Sequence, residues 1–333
     1  MLSKKSNIAR NVTTFILSGV IIALAVWVVV NRQYVSDQVA VWQFTPSSRV
    51  QSLSKDIELT NRGEFVFYAT APVVASEESF NQNCPRKEIS SPILGCYTPD
   101  DKIFIFDITN QDLNGMEEVT AAHELLHAVW FRMSSSERED LTRELRLVYD
   151  SIDDDALDAR IAYYERAQPG EIDNELHSIL GTEYKNLPAE LEAHYNQYFN
   201  RSKVLAYHDS YSGVYKRLSS RSDELVAIME KLSASIESRS GAYDKSLEVL
   251  SDDIEEFNNR ANSGDFESAS QFYNERAVLT SRSNQLESDR RSINADIDKY
   301  NKYHSEYQNI SSEIKILNDS MDSYKQIEKS PSI

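Results

Sequence analysis

No proline occurs between Pro188 and Pro331. A stretch of that length without the residue that breaks helices is unusual for a globular fold and natural for long continuous helices. Its apolar residues follow the helical step of three and four. One seam runs Tyr211, Tyr215, Leu218, Leu225, Met229, Leu232, Ile236, Tyr243, Leu247, Leu250, Ile254 and Phe257, and a second runs Phe272, Leu279, Leu286, Ile293, Ile297, Tyr300, Tyr307, Ile314, Leu317, Met321 and Tyr324. Between them Asn262-Ser263-Gly264-Asp265 is the strong turn signal. The pattern predicts an antiparallel helical hairpin of coiled-coil type over residues 201–329, turning near 261–266, with arms of about 55 residues and ~80 Å. Residues 330–333 remain as a tail. Ser222, Arg239, Ser283 and Arg290 interrupt the seams. The pairing is therefore only moderately strong, and self-association or a partner helix has room to act.

The other end of the chain is apolar. From Val12 to Val30 there is no charged residue, a length that spans about 30 Å of hydrocarbon at ~1.5 Å per residue. The run ends in Trp27-Val28-Val29-Val30-Asn31-Arg32, without the small residues of a signal-peptidase site, which favours a retained signal anchor over a cleaved one. Lys4, Lys5 and Arg10 precede it and only Arg32 closely follows. That asymmetry predicts residues 1–11 in the cytoplasm, residues 12–30 in the lipid bilayer, a juxtamembrane segment at 31–44 and the bulk of the chain outside the cytoplasm.

Charge and cysteine usage are consistent with that placement. The net charge is −18, and residues 33–200 carry thirteen basic against thirty acidic side chains, which argues against nucleic acid as a partner. Cys84 and Cys96 are the only cysteines, set in a loop with Pro85, Pro92 and Gly95. An oxidising compartment permits them to bridge, and a two-cysteine metal half-site has too few ligands at too wide a spacing.

Residues 45–200 read as a compact mixed domain. Val50, Leu53 and Ile57 have helical spacing, Asn61-Arg62-Gly63 reads as a turn, and Phe65–Tyr68 and Lys102–Ile108 read as strands, with a short helix near Glu77–Asn81 between them. Beyond Asn114-Gly115 the period becomes helical: Val119, Ala122, Leu126 and Val129 form one stripe, widened by Leu125 and Trp130. A next helix is capped by Ser135 or Ser136, with Glu139 in box position, and buries Leu141, Leu145 and Val148. Another follows Asp153-Asp154-Asp155, read as a cap with dipole-favoured acids because three adjacent Asp lack the ligand spacing of a calcium loop.

The first of these helices carries His123-Glu124-Leu125-Leu126-His127. Imidazoles at i and i+4 lie on one helical face, close enough to hold one tetrahedral cation. Glu124 is placed to take a proton from a water at that cation. The bland alternative is two exposed histidines on an ordinary amphipathic helix.

With its preceding strand, this motif resembles that of the zincin metallopeptidases over Lys102 to Phe199. The resemblance implies an α+β zincin-like domain with Zn2+ as cofactor, Glu124 as general base and hydrolysis of peptide bonds. Residues 128–133 read Ala-Val-Trp-Phe-Arg-Met, which excludes the metzincin continuation. The gluzincin branch draws a Glu from a later helix, often preceded by Asn, and Asn174-Glu175-Leu176-His177-Ser178 has that local form. Glu175 is the preferred third metal ligand; its competitors are Glu183, which follows Gly181, a helix stop, and Glu190 and Glu192, in the next helix after Pro188. His177, two residues on, projects roughly 200° from Glu175 and is a candidate transition-state stabiliser rather than a ligand, as are Tyr163, Tyr164 and His194.

The expectation is a single-pass membrane protein whose zinc-dependent peptidase domain acts on peptide or protein substrate near the membrane. Its rival is a membrane-tethered coiled-coil interaction protein with an inactive or structural zincin domain. Retention of Glu124 between the two histidines favours the enzyme, because a structural site needs the ligands but not the base.

Overall fold

The computed structural model describes residues 2–85 and 93–323, the side chains of residues 2–13 excepted. Pro92, Tyr324 and the 330–333 tail lie outside the described residues, as do the side chains of Lys4, Lys5 and Arg10. The chain is mostly helical with one small three-stranded sheet. It divides into two compact units, one holding residues up to Gly213 together with those from Leu317 onward, the other Val214–Ile316.

The first unit opens with α1 (Leu2–Val30) and α2 (Arg32–Gln43). Among the described residues no single helix is long and apolar enough to cross a membrane. Thr14–Val30 and Arg32–Gln43 meet that measure only as a pair, and the pair is bent by 83°. The side chains of Phe15, Ile16, Leu17 and Val20 through Val30 that are apolar are largely exposed, so they find no core within the chain.

Next come α3 (Ser48–Asp56), whose Ser47 cap accepts from the Val50 N–H, and α4 (Asn61–Ala69), whose Thr60 hydroxyl accepts from the Gly63 N–H. Phe65–Tyr68, expected as a strand, is therefore the body of a capped helix, and Asn61-Arg62-Gly63 is its first turn. Aromatic and β-branched residues lean towards strands, but Val66 and Phe67 are buried in the core, and that burial outweighs a preference of under ~1 kcal/mol.

The sheet has the order β1-β3-β2, built from β1 (Val73–Ala75), β2 (Gly95–Tyr97) and β3 (Ile103–Phe106), with α5 (Glu77–Asn83) between the first two. β1 runs parallel to β3 with Val74 opposite Ile105, and β2 runs antiparallel with Cys96 opposite Phe104. All four residues of β3 are buried, which is why it reads as a continuous apolar run. Cys84, at the end of α5, is disulfide-bonded to Cys96 in the middle of β2, with the Cα atoms 5.9 Å apart. That bond excludes the metal half-site.

Five helices follow in the unit: α6 (Met116–Arg132), α7 (Ser135–Tyr149), α8 (Asp155–Ala167), α9 (Ile172–Glu183) and α10 (Ala189–Tyr195). The capping box of α7 lies one residue earlier than Ser135 and two earlier than Glu139: Ser134 and Glu137 bond reciprocally. Asp154 caps α8 through the Ala156 and Leu157 N–H groups, so the acidic triplet is a helix start. The core forms where α6 meets α9, with Ala122, Leu125, Leu126 and Val129 against Leu176, Ile179 and Leu180. Gly181 is not a helix stop. It lies inside α9, where a Cβ would come within 2.5 Å of Leu126 Cδ1 and 2.6 Å of the Tyr195 ring, so only glycine lets these helices approach.

Two long helices follow, α11 (Arg201–Ser263) and α12 (Ala269–Met321). Residues 201–213 and the end of α12 belong to the first unit rather than to a separate 201–329 domain. Arg201 and Val204 are buried there, and Asn110 Nδ2 donates to Ser320 Oγ at 3.1 Å.

In the second unit the partner number falls as the first rises: Arg221 pairs with Glu306, Arg239 with Asp296, and Arg260 with Glu275. The two helices are therefore antiparallel, and the chain reverses at Gly264, where φ is +76°. Leu225, Met229, Leu250, Phe257, Leu286, Ile293 and Ile310 are buried between them. Leu247, Ile254 and Ile297, expected in the seams, are 46%, 37% and 36% exposed, whereas Ile310, absent from the expected seams, is buried. Arg239 breaks the seam by donating to Asp296 and Ser292 across the helix pair.

Candidate metal centre

His123 and His127 share the face of α6 that meets α9, and Glu175 faces them from the first turn of α9. Glu175 Oε2 lies 3.7 Å from His123 Nε2 and 3.8 Å from His127 Nε2. The three donor atoms all fall within 4.8 Å of one another. Donors around a tetrahedral zinc at ~2.1 Å lie about 3.4 Å apart, so a small contraction closes the group on a cation. These residues could hold a metal ion. The bland alternative of two exposed histidines fails, because His127 and Glu175 are buried and His123 is nearly so.

Groups around the triad orient it. His127 Nδ1 lies 2.9 Å from Asn174 Oδ1 and 3.3 Å from Ser178 Oγ, while Asn174 Nδ2 donates to Glu171 Oε2 at 3.0 Å. With the amide so held, Asn174 offers its oxygen as acceptor. His127 then carries its proton on Nδ1 and turns the Nε2 lone pair towards Glu175. In the sequence Asn174 is marked only as the residue preceding Glu175, and Ser178, one helical turn beyond Asn174 on the same face, carries no signal of its own.

Glu124 is 5% exposed and packs against the edge strand β2. A Cβ on Gly95 would come within 2.6 Å of Glu124 Oε1, so glycine at this strand position lets the carboxylate lie against the backbone. The Tyr97 backbone N–H donates to Glu124, whose Oε2 has no hydrogen-bond partner. Burial pushes its carboxyl upward against the pull of His127 and His123. A carboxylate raised in this way, with one oxygen unpartnered, is a better proton acceptor than an exposed one.

The other two titrating members move differently. Burial alone would raise Glu175, but His127, His123 and Arg160 outweigh it and hold the carboxyl below its usual range. Burial would likewise lower His127, yet the Glu175 and Glu124 carboxylates and the Asn174 bond raise it. Both shifts express the attraction between the buried carboxylates and the imidazole beside them.

The competing carboxylates lie outside this group. Both oxygens of Glu183 accept from Arg160 Nη1 at 2.8 Å, Glu192 pairs with Arg201, and Glu190 is exposed. His177 lies outside the triad. It is fully buried between Trp130 and Tyr195, with its Nε2 2.9 Å from His194 Nε2. Tyr163 and Tyr164 stack edge to face on α8, and Tyr164 is raised by burial and by the Glu175 carboxylate.

The His177–His194 pair sets a pH dependence of stability. Burial, then Arg62, pulls His194 down to about 4, and burial takes His177 well below its ordinary value. A histidine depressed in the folded state is protonated first in the unfolded chain, so stability is lost as pH falls from about 6.5 towards 4. On the order of 2 kcal/mol is expected from His194 over that window. The check is thermal unfolding of wild type and His194→Gln at pH 7.5 and 4.5. The variant should lose less between the two conditions, and an equal loss contradicts the assignment.

Searches of protein-family models, characterised proteins and solved structures give no match to this chain.

Proposed function

We propose that the chain is a membrane-anchored, zinc-dependent peptidase of zincin type, carrying a coiled-coil hairpin. The observation that carries this reading is the pairing of a three-donor group, His123, His127 and Glu175, with a buried carboxylate, Glu124, that ligates nothing and has an oxygen to spare. Two imidazoles and one carboxylate form a donor set suited to catalytic zinc, which keeps a coordination position open. Zinc held there supplies Lewis acidity, polarising a carbonyl and acidifying water.

The chain's own residues supply the rest. Glu124 takes the proton of the attacking water on Oε2 and delivers it to the leaving amine. Gly95 and the Tyr97 N–H hold that carboxylate in place. β2 is an edge strand among the described residues, so its outer backbone groups other than the Tyr97 N–H, which Glu124 engages, could pair with an extended peptide, which would lie beside Glu124.

The apolar run to Val30, the basic residues before it and the disulfide support the anchor and an extracytoplasmic domain. The test is peptide cleavage by the purified full-length protein. Chelation should abolish activity and added zinc restore it. Glu175→Ala should then require far more zinc than wild type, whereas Glu183→Ala should not. Cleavage that persists under chelation contradicts the proposal.

A further inference from the structure

The face of α2 opposite Asp37 carries the exposed Val39 and Trp42 beside the half-buried Val35, with the exposed Arg32 at its edge. On its inner face Asp37 is buried and joined to the C-terminus of α6: Arg132 Nη2 donates to Asp37 Oδ1 at 2.8 Å and Arg132 Nε to Asp37 Oδ2 at 3.0 Å. The same guanidinium donates to both oxygens of Asp101, at 3.0 and 2.8 Å, in the turn joining β2 to β3. Gln33 bridges Asp37 and Asp101, and Tyr97 donates to Asp101 at 2.7 Å. Counting about 100° per residue, Val35, Val39 and Trp42 lie 140–200° round the helix from Asp37. Trp42 is 78% exposed and Val39 43%.

The occupant of that face follows from the chain that precedes it. α2 departs at 83° from the exposed apolar helix ending at Val30, so a helix standing in a bilayer would leave α2 parallel to the surface. The domain occupies the Asp37 side, and the Val35–Val39–Trp42 stripe is left for the opposite side. A Trp with two Val beside it suits the boundary between headgroups and acyl chains.

We propose that α2 lies flat on the membrane with Val35, Val39 and Trp42 in the lipid interface, and that the Arg132 clamp thereby fixes the metal centre at short range above the bilayer. The proposal rests on the membrane-anchor reading. From His123 to Arg132 is nine residues of α6, about 14 Å. The substrate class that fits is an extended segment of a membrane protein just outside its span, rather than free peptide in solution.

The test uses full-length protein in vesicles of phosphatidylcholine brominated either near the headgroup or deep in the acyl chains. Trp27→Phe reports Trp42 and Trp130, Trp42→Phe reports Trp27 and Trp130, and the double variant gives the Trp130 background, so the core is left intact. Relative to that background, shallow bromine should quench the Trp42 contribution at least about two-fold more than deep bromine, and the Trp27 contribution should show the reverse. Trp27 quenched by deep bromine while Trp42 responds only to aqueous iodide overturns the docking and leaves the anchor standing. A Trp27 contribution untouched by lipid overturns the anchor, and the docking with it.

Discussion

Glu124→Gln is expected to lower peptide hydrolysis by roughly 100-fold or more while metal content stays at the wild-type level. The substitution keeps the shape of the side chain and leaves His123, His127 and Glu175 in place, so the donor group is intact. It removes the acceptor oxygen that has no partner within the protein and that burial has made more basic. An amide cannot take that proton. Paired measurement of zinc and of turnover on one preparation separates the two effects. Wild-type turnover in Glu124→Gln would contradict its role as the base, whereas no turnover in zinc-loaded wild type would favour the rival, an interaction protein with a structural site.

Replacing Arg201 is expected to cost about 3–5 kcal/mol of stability, the largest effect of any single substitution remote from the triad. Arg201 is 1% exposed, and its guanidinium donates to the carbonyls of Leu180 and Gly181 at 3.0 and 3.1 Å, to that of Tyr184, and to the Glu192 carboxylate. These carbonyls belong to the C-terminal end of α9, where helical backbone has no acceptor bonds of its own. Arg201→Met keeps much of the apolar stem but leaves two buried carbonyls unsatisfied and takes the donor from the part-buried Tyr184 carbonyl and the Glu192 carboxylate. Denaturant unfolding should show the loss. Glu175 lies at the other end of α9, so the surviving folded fraction should still bind metal with near wild-type affinity. A change below about 0.5 kcal/mol contradicts this account of α9.

What the sequence discloses here is local. His123 and His127 are one turn apart on a helix whose buried stripe is visible in the residues, and Asp154 caps the helix it precedes. β3 is legible because a strand buried on both faces is apolar throughout. The failures are equally physical. Phe65–Tyr68 has strand composition but lies in a helix because Thr60 caps it and the core claims Val66 and Phe67. β1 and β2 are three residues each, too short for a period to register.

Tertiary partners leave no mark at all. Spacing left four carboxylates open as third ligand. Only the packing of α9 on α6 brings Glu175 to the histidines while Arg160 and Arg201 engage Glu183 and Glu192. Gly181 looks like a helix stop because glycine commonly is one, yet its role is the close approach of Leu126 and Tyr195. The Asp37–Arg132–Asp101 clamp joins residues far apart in sequence, and each alone reads as an ordinary surface charge.

The most direct measurement is the zinc content of the purified full-length chain by elemental analysis. About one zinc per chain is expected in wild type, in Glu124→Gln and in Glu183→Ala, and a loss of zinc in the His123→Ala, His127→Ala double variant. Full zinc content in the double variant, or none in wild type supplied with zinc, would contradict the assignment of the metal site.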